Sequence, residues 1–280
     1  MTSEYSKWLL VSDIDGTLND KSFNLPENNR REIKRYVEAG GNFTLCSGRN
    51  LESLNIHYNK LGIKTPAICL NGAGIFDYNS NNLIYYNVIT TQGEEVLLDI
   101  FSRYKLLNLT VFSYNKIFLA KRTCLYGFVV SKVDNLSYEF CNKISDLPRG
   151  NWGKISFFSL PFTLKKIEKE LKKENNSELF DCFYTSPVTL EVVNKGVNKG
   201  NAVLKLAEYL GINKKNTAAV GDYYNDVDMF KRVEHPVCCG QAPDDIKEIC
   251  EHVTCHCNNG AVAEFINYIE NKYIKQWRNY

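Results

Sequence analysis

Residues 8–18 decide the fold of this chain, and they read WLLVSDIDGTL. The apolar run at 8–11 is typical of a short buried strand, and Asp13 and Asp15 follow where that strand runs out into a loop. Residues i and i+2 lie on one side of a strand, so the two carboxylates can converge on one point. Gly16 allows the sharp turn that a Cβ would obstruct. Converging carboxylate oxygens suit a hard cation such as Mg²⁺, although Asp, Gly and Thr are also common turn and cap residues.

On both sides of a middle segment, short apolar strands alternate with amphipathic helices. This alternation of strands and helices predicts right-handed βαβ units around a parallel sheet, which is an α/β fold with a Rossmann-like core. Before the middle segment we predict strands at 8–13, 43–46 and 66–70, with helices at 26–39 and after Ser47. After it we predict helices at 199–210, 226–233 and 262–269, with strands at 217–220 and 236–239.

The middle segment has a different pattern, with hairpins and β-rich runs beside a few helices. We therefore predict an inserted α+β domain at residues 87–187, while 1–86 and 188–280 form the core. The expected elements are a hairpin at 74–89, helices at 97–104, 136–146 and 163–174, and β-rich runs at 109–119, 154–160 and 188–193.

Length and charge exclude several classes of protein. A chain of 280 residues is long enough for about two domains and needs no disulfide or metal to hold its core. Its 34 basic and 32 acidic residues give a formal charge of +2, so nothing predicts binding to nucleic acid or to an anionic membrane. No apolar run approaches the roughly 20 residues of a membrane span. We expect a cytoplasmic protein, and the oligomeric state stays open.

The ten cysteines are scattered along the chain rather than paired in a framework. Several lie in apolar strand-like runs, where a free thiol behaves as a small hydrophobic group, so we expect them to be reduced. The segment HVTCHC at 252–257 is rich in soft ligands. It lacks the second spaced pair of a zinc site, so it predicts a metal-binding tail only weakly.

A second acidic pair, Asp222 and Asp226, follows the apolar run at 217–220. In an open parallel sheet, the strands that end near Asp13, Ser47 and Asp222 deliver their loops to the same edge, where such sheets bind ligands. Asp226 also precedes a helix, so an acidic helix cap is the structural alternative for it.

Two further sites would meet these carboxylates at that edge. Ser47 and Gly48 supply a hydroxyl and backbone N–H groups at a helix start, which suits a phosphate oxygen or an ordinary cap. Lys199 opens the helix after the insertion, where an ammonium can neutralise a phosphoryl group or a carboxylate. Lys195 is a nearby competitor for that role, and we choose Lys199 because it lies on the amphipathic helix.

Taken together, these motifs resemble the haloacid dehalogenase superfamily of phosphohydrolases, in its Cof-type, subclass IIB branch. DIDGTL at 13–18, CSGR at 46–49, NKGNAV at 198–203 and GDYYNDVDM at 221–229 stand in the order of the four motifs of that family. Asn71-Gly72-Ala73, Glu191 and residues 259–263 are similar to secondary marks of the branch. Two departures bear on substrate fit: Tyr223-Tyr224 is bulkier than usual, and Gln241 replaces a more usual Asn.

The resemblance implies a phosphomonoester hydrolase that acts on small phosphorylated metabolites, with a large cap of the C2B type. Asp13 would attack phosphorus and form an aspartyl-phosphate, and Asp15 would serve as acid and then as base. Mg²⁺ would be held by Asp13, the Asp15 backbone carbonyl and Asp222, with Asp226 behind them. The phosphoryl oxygens would be held by Ser47, Gly48, Lys199 and Asn225.

Three other functions are compatible with parts of this pattern. A phosphotransferase or sugar phosphomutase would pass the same aspartyl-phosphate to an acceptor other than water. A phospholigand-binding protein without activity would be free to lose Asp15, which is present here. A metal-binding protein that uses Cys255 and Cys257 would contain stoichiometric zinc.

Overall fold

The computed structural model describes residues 3–120 and 138–275. The chain divides into two compact units. The core unit comprises Met1–Gly48, Leu54–Ile84 and Asn198–Tyr280, and the insertion unit comprises Arg49–Ser53 and Tyr85–Val197. In the described part of the chain, no helix combines the length and apolar character needed to cross a membrane.

The described strands, in chain order, are β1 Leu9–Ser12, β2 Asn42–Leu45, β3 Ala67–Cys69, β4 Gly74–Asp77, β5 Asn82–Tyr86, β6 Asn108–Phe112, β7 Ile117–Ala120, β8 Tyr138–Cys141, β9 Lys154–Phe158, β10 Phe180–Ser186, β11 Thr189–Asn194, β12 Thr217–Gly221, β13 His235–Cys238 and β14 His252–Val253. The described α-helices are α1 Glu27–Glu38, α2 Leu51–Leu61, α3 Thr91–Arg103, α4 Pro161–Leu171, α5 Glu174–Ser177, α6 Lys199–Tyr209, α7 Val227–Phe230, α8 Asp244–Lys247 and α9 Ala261–Ile269.

The core unit is built on a parallel sheet in the order β14-β13-β12-β1-β2. β1 is central, with Leu9 beside Thr217 on one side and Asn42 on the other. All four residues of β1 are buried, as expected for a parallel strand that is covered on both faces. The predicted α/β fold is confirmed, and the carboxyl ends of β1, β2 and β12 lie at one edge of the sheet.

The insertion unit has its own sheet, in the order β10-β11-β9-β6-β7-β8. Its pairs are antiparallel except β7 with β8. Alternate residues of β6, β9 and β11 form a core with apolar residues of the two helices α3 and α4, as the period of two along a strand requires. Trp152 is completely buried in this core, and its indole N–H donates to the Pro148 carbonyl.

Strand pairing corrects two details of the sequence prediction. The helix predicted at 136–146 is wrong where the structure describes it, because Tyr138–Cys141 is strand β8, paired with β7, and only Ile144–Asp146 forms a 3₁₀ turn. Residues 136 and 137 lie outside the described residues. We expected the insertion to end at 187, but β11 pairs with β9 and β10, so the second unit continues to Val197.

Candidate active site

Three carboxylates meet at the carboxyl edge of the core sheet. The Asp13 N–H donates to the Val220 carbonyl at 3.0 Å, which joins the end of β1 to the end of β12. Asp13, Asp222 and Asp226 each present an oxygen within 4.8 Å of the others. Asp13 is 4% exposed and Asp226 is completely buried. The two acidic motifs, about 200 residues apart in sequence, therefore form one cluster.

Lys199 lies within this cluster at the start of α6. Its side chain is 1% exposed, and Nζ lies 2.5 Å from Asp13 Oδ1 and 2.6 Å from Asp226 Oδ1. Helix α6 is capped by Asn198, whose side chain accepts from the Asn201 N–H at 2.7 Å. Lys195 instead forms a half-exposed pair with Asp181 in the insertion unit. The structure thus places Lys199 beside Asp13, whereas the Lys195 ammonium pairs within its own unit.

Asp226 stabilises the loop after β12 by accepting hydrogen bonds from its backbone. Its Oδ2 accepts from the N–H groups of Asp222 at 3.0 Å and Tyr223 at 3.3 Å, while Oδ1 receives Lys199. Both oxygens are therefore engaged by neighbouring groups, as a buried carboxylate requires. This geometry sets the direction in which the chain leaves β12 and so places the Asp222 side chain.

The turn after β1 is packed against Asp222. Gly16 has φ +83°, which favours glycine, and a Cβ at that position would lie 2.5 Å from Asp222 Oδ2, so a larger residue would displace that carboxylate. Thr17 Oγ1 donates to Asp222 Oδ1 at 3.3 Å. The turn therefore depends on the absence of a side chain at the point where it meets the acidic cluster.

Gln241 is a site residue whose role the sequence did not predict. Its Nε2 donates to the Gly16 carbonyl at 2.5 Å and its Oε1 accepts from the Cys257 N–H at 3.0 Å. The side chain thus ties the turn after β1 to the segment before α9. The only sequence signal was the replacement of the more usual Asn by Gln at this position.

Asp15 lies outside the carboxylate cluster. The chain leaves the strand at Asp13 and enters a π-type turn over Ile14–Leu18, in which Asp15 has φ −83° and ψ 112°. Its side chain is exposed. The expectation that two residues of one strand converge does not apply to a residue on the turn, and Asp226 takes the third position instead.

Ser47 and Gly48 lie at the end of β2, next to a turn at Asn71. The Ser47 N–H donates to the Ile68 carbonyl at 3.1 Å, and its carbonyl accepts from the Asn71 N–H at 3.0 Å. The following residue, Gly72, has φ +98°, and its position has no room for a Cβ because the Asn198 backbone lies against it. This contact joins the turn to the start of α6. Asn225 is exposed in the 3₁₀ turn Tyr224–Asp226.

The electrostatics of the cluster favour a cation. Burial, reinforced by Asp226, Asp222 and Asp15, raises the pKa of Asp13 well above its usual value, although Lys199 opposes the shift. Burial and Asp226 raise the pKa of Asp222 to about 6. Burial disfavours the ammonium of Lys199, but Asp13 and Asp226 outweigh it and hold that pKa above its usual value. Three carboxylates and one ammonium carry a formal charge of −2, and such oxygen donors suit Mg²⁺.

Nine cysteines lie in the described part of the chain, including the two of the tail segment at 252–257. Among the described residues, one group of three or more His, Cys, Asp or Glu side chains lies close enough together to hold a metal ion. That group is Asp13, Asp222 and Asp226, and it does not include the tail cysteines. The nine described cysteines are free. Burial raises the pKa of the Cys46 thiol next to Ser47, which keeps it neutral and a poor nucleophile.

Two basic residues of the insertion unit, Lys154 and Arg149, each pair with a carboxylate of the same unit. Lys154 is 3% exposed and pairs with Glu191 at 2.7 Å, and its ammonium lies 4.5 Å from the centre of the Phe112 ring. Arg149 pairs at 2.7 Å with Glu94, whose side chain is completely buried. Arg149 therefore has a structural partner within its own unit.

Comparison with known proteins shows which family the chain resembles. The family model for haloacid dehalogenase-like hydrolases matches residues 10–266. The 5-amino-6-(5-phospho-D-ribitylamino)uracil phosphatase YcsE of Bacillus subtilis is 27% identical, with 88% of this chain and 89% of that protein covered. The pyridoxal phosphate phosphatase YbhA of Escherichia coli is 22% identical, with 92% of this chain and 97% of that protein covered.

Solved structures have the same fold over both units. A haloacid dehalogenase-like hydrolase from Bacteroides thetaiotaomicron has a TM-score of 0.84 at 25% identity and covers 94% of this chain and 99% of its own. The subclass IIB sugar phosphatase BT4131 has a TM-score of 0.80 at 18% identity, with 94% and 98% covered. The chain therefore belongs to the haloacid dehalogenase-like hydrolase family, which is the family that the sequence motifs predicted.

Proposed function

We propose that the chain hydrolyses small phosphomonoesters in two steps through an aspartyl-phosphate, a mixed anhydride, on Asp13. The observation that carries this proposal is the buried Asp13 carboxylate, 2.5 Å from the Lys199 ammonium at the ligand-binding edge of a parallel sheet. An ammonium at this distance reduces the repulsion between an attacking carboxylate and an anionic phosphate.

In the first step Asp13 attacks phosphorus, and the bond from phosphorus to the leaving oxygen breaks while Asp15 donates a proton to that oxygen. In the second step water attacks phosphorus, Asp15 takes its proton, and the bond to Asp13 breaks. The exposed position of Asp15 fits this role, because it must exchange a proton with a substrate and with water. Ser47, Gly48, Lys199 and Asn225 would hold the phosphoryl oxygens.

The donor set at the cluster fits Mg²⁺, as the excess negative charge indicates. Asp13, Asp222 and the Asp15 backbone carbonyl would hold the ion, and Asp226 would brace them through its bonds to the loop and to Lys199. The ion, when bound, supplies positive charge that offsets the phosphoryl oxygens.

The substrates named for the relatives support a small-metabolite class. YcsE is named for a phosphorylated ribitylaminouracil and YbhA for pyridoxal phosphate, and both compounds are phosphomonoesters of small molecules. We propose the same class for this chain, and we assign the choice of leaving group in part to the insertion unit, residues 87–187 in the sequence prediction, as the cap of a C2B-type enzyme.

A trapping experiment tests the proposal. With labelled p-nitrophenyl phosphate, whose leaving group needs no proton, Asp15→Asn should accumulate acid-stable, hydroxylamine-labile label on the chain while releasing little phosphate. Asp13→Asn should keep the fold, by circular dichroism, and take up no label. Removal of divalent cations with EDTA should stop turnover, and Mg²⁺ should restore it. Label on Asp13→Asn, or full phosphate release by that variant, would contradict the role of Asp13.

A further inference from the structure

Two exposed tyrosines lie inside the acidic loop. Tyr223 and Tyr224 stand between Asp222 and Asp226, and their side chains are 54% and 52% exposed. Large aromatic side chains usually bury most of their surface, so two adjacent exposed rings at a ligand-binding edge are informative. The stability of the core does not explain their position.

The two rings are held in a defined arrangement. The Tyr223 N–H donates to Asp226 Oδ2 at 3.3 Å, which fixes the backbone at the first ring. The Tyr224 hydroxyl donates to Asp245 Oδ1 of α8 at 3.3 Å. The rings pack edge to face, with centres 4.9 Å apart and planes inclined at 70°. Tyr224 therefore supports the Tyr223 ring, while Tyr223 as a residue stays about half exposed.

We propose that Tyr223 is a specificity-determining residue whose ring stacks on a planar heterocyclic leaving group of the phosphomonoester. This inference rests on the proposed function. Consecutive Cα atoms are about 3.8 Å apart, so the ring of Tyr223 begins one residue from Asp222 and can reach a group attached to a phosphate at the cluster. A tyrosine held in place offers a large contact area at a low entropic cost.

Stacking selects for planarity rather than for one compound. Any conjugated ring has a π-face, whereas an acyclic polyol has none, so the Tyr223 ring should discriminate between these two classes. The substrate class is accordingly a phosphomonoester whose leaving group carries a planar heterocycle one or a few bonds from the ester oxygen. Pyridoxal 5′-phosphate and flavin mononucleotide are usable probes of this class.

The test compares kcat/KM for pyridoxal 5′-phosphate with kcat/KM for glycerol 3-phosphate, both measured as released phosphate. Tyr223→Leu should lower the ratio about 5- to 150-fold, the range of one aromatic stacking contact. Tyr223→Phe keeps the ring and should keep the ratio. Tyr209→Leu removes a ring of similar exposure, 58%, from α6 and serves as the matched control, with the ratio unchanged.

Equilibrium binding gives a second readout that does not depend on turnover. In the Asp13→Asn background, calorimetry should show that Tyr223→Leu weakens binding of pyridoxal 5′-phosphate and not of glycerol 3-phosphate. An equal loss for both esters, or no loss for either, would overturn the role of Tyr223 while leaving the phosphatase proposal standing. A wild-type chain that hydrolyses neither these esters nor p-nitrophenyl phosphate would instead contradict the proposed function itself.

Discussion

Lys199 provides the positive charge on which the acidic cluster depends. It is buried between two carboxylates, and its ammonium is within 2.6 Å of each. A cation that is desolvated to this degree persists only because its partners are equally close. The same contacts hold Asp13 and Asp226 in place, so we propose that the residue is both structural and functional.

Replacing Lys199 tests that dual role. Lys199→Met should lower the free energy of unfolding by about 3–5 kcal/mol, because it leaves two buried carboxylates without their cation, and it should abolish turnover. Lys195→Met removes a half-exposed pair with Asp181 and should cost less than about 1 kcal/mol, with turnover retained. Urea unfolding and phosphate release measure the two effects. Equal stability losses in the two variants would be inconsistent with the buried pair.

Gly16 tests the packing of the turn on Asp222. Gly16→Ala should reduce kcat/KM by about 100-fold or more, because its Cβ would displace Asp222 Oδ2. Gly62 also has a positive φ, +65°, but nothing lies within 4 Å of its Cβ position. Gly62→Ala should therefore show only the backbone strain, about 1–2 kcal/mol, and keep its activity. If both variants lost activity to the same degree, strain rather than displacement would be the cause.

At the scale of elements, the start of α6 determines where Lys199 lies. Lys199 is the first residue of this helix, and the Asn198 side chain caps it. The turn at Gly72 packs against the backbone at the same point. A change in the cap should therefore be transmitted to the site through the helix end rather than through a contact with substrate.

The cap variant Asn198→Ala should lower the free energy of unfolding by about 1 kcal/mol and should also reduce kcat, since fraying moves Lys199. Asn213→Ala is the matched control, because that side chain caps the short turn Lys214–Asn216 by accepting from the Lys215 N–H at 3.0 Å. Thermal melting and phosphate release, measured on both variants, check this. A comparable loss of kcat in Asn213→Ala would show that the effect is not specific to α6.

At the scale of the whole molecule, each of the two compact units has its own hydrophobic core. The core unit buries apolar strands within a parallel sheet, and the insertion unit buries alternate residues under α3 and α4. The described cysteines are free and mostly buried. Stability therefore comes from packing and not from covalent cross-links among the described residues.

Reducing agents should accordingly leave the stability unchanged. The melting temperature in the presence of dithiothreitol should equal that in its absence, since none of the nine described cysteines is in a disulfide. Differential scanning fluorimetry of freshly purified protein measures this directly. A lower melting temperature with reductant would mean that a disulfide stabilises the chain in solution.

The sequence by itself determined the parallel sheet, the edge at which we propose that ligands bind and the two acidic motifs. These features can be predicted from local patterns in the sequence. Each pattern consists of a buried run of four to six residues, the glycines that end it and the side chains that follow. Lys199 could be chosen over Lys195 because helical periodicity includes one and not the other. The motifs of the family added the reaction class.

Only the tertiary structure decided which side chains meet. Asp226 rather than Asp15 completes the carboxylate cluster because the chain turns immediately after Asp13. Gln241 reaches the Gly16 carbonyl across 225 residues, and no local pattern reports such a contact. β8 is a strand because β7 supplies its hydrogen bonds, which outweighs the local preference for a helix. Propensity and periodicity act over a few neighbouring residues, whereas pairing and burial depend on residues brought together by the fold.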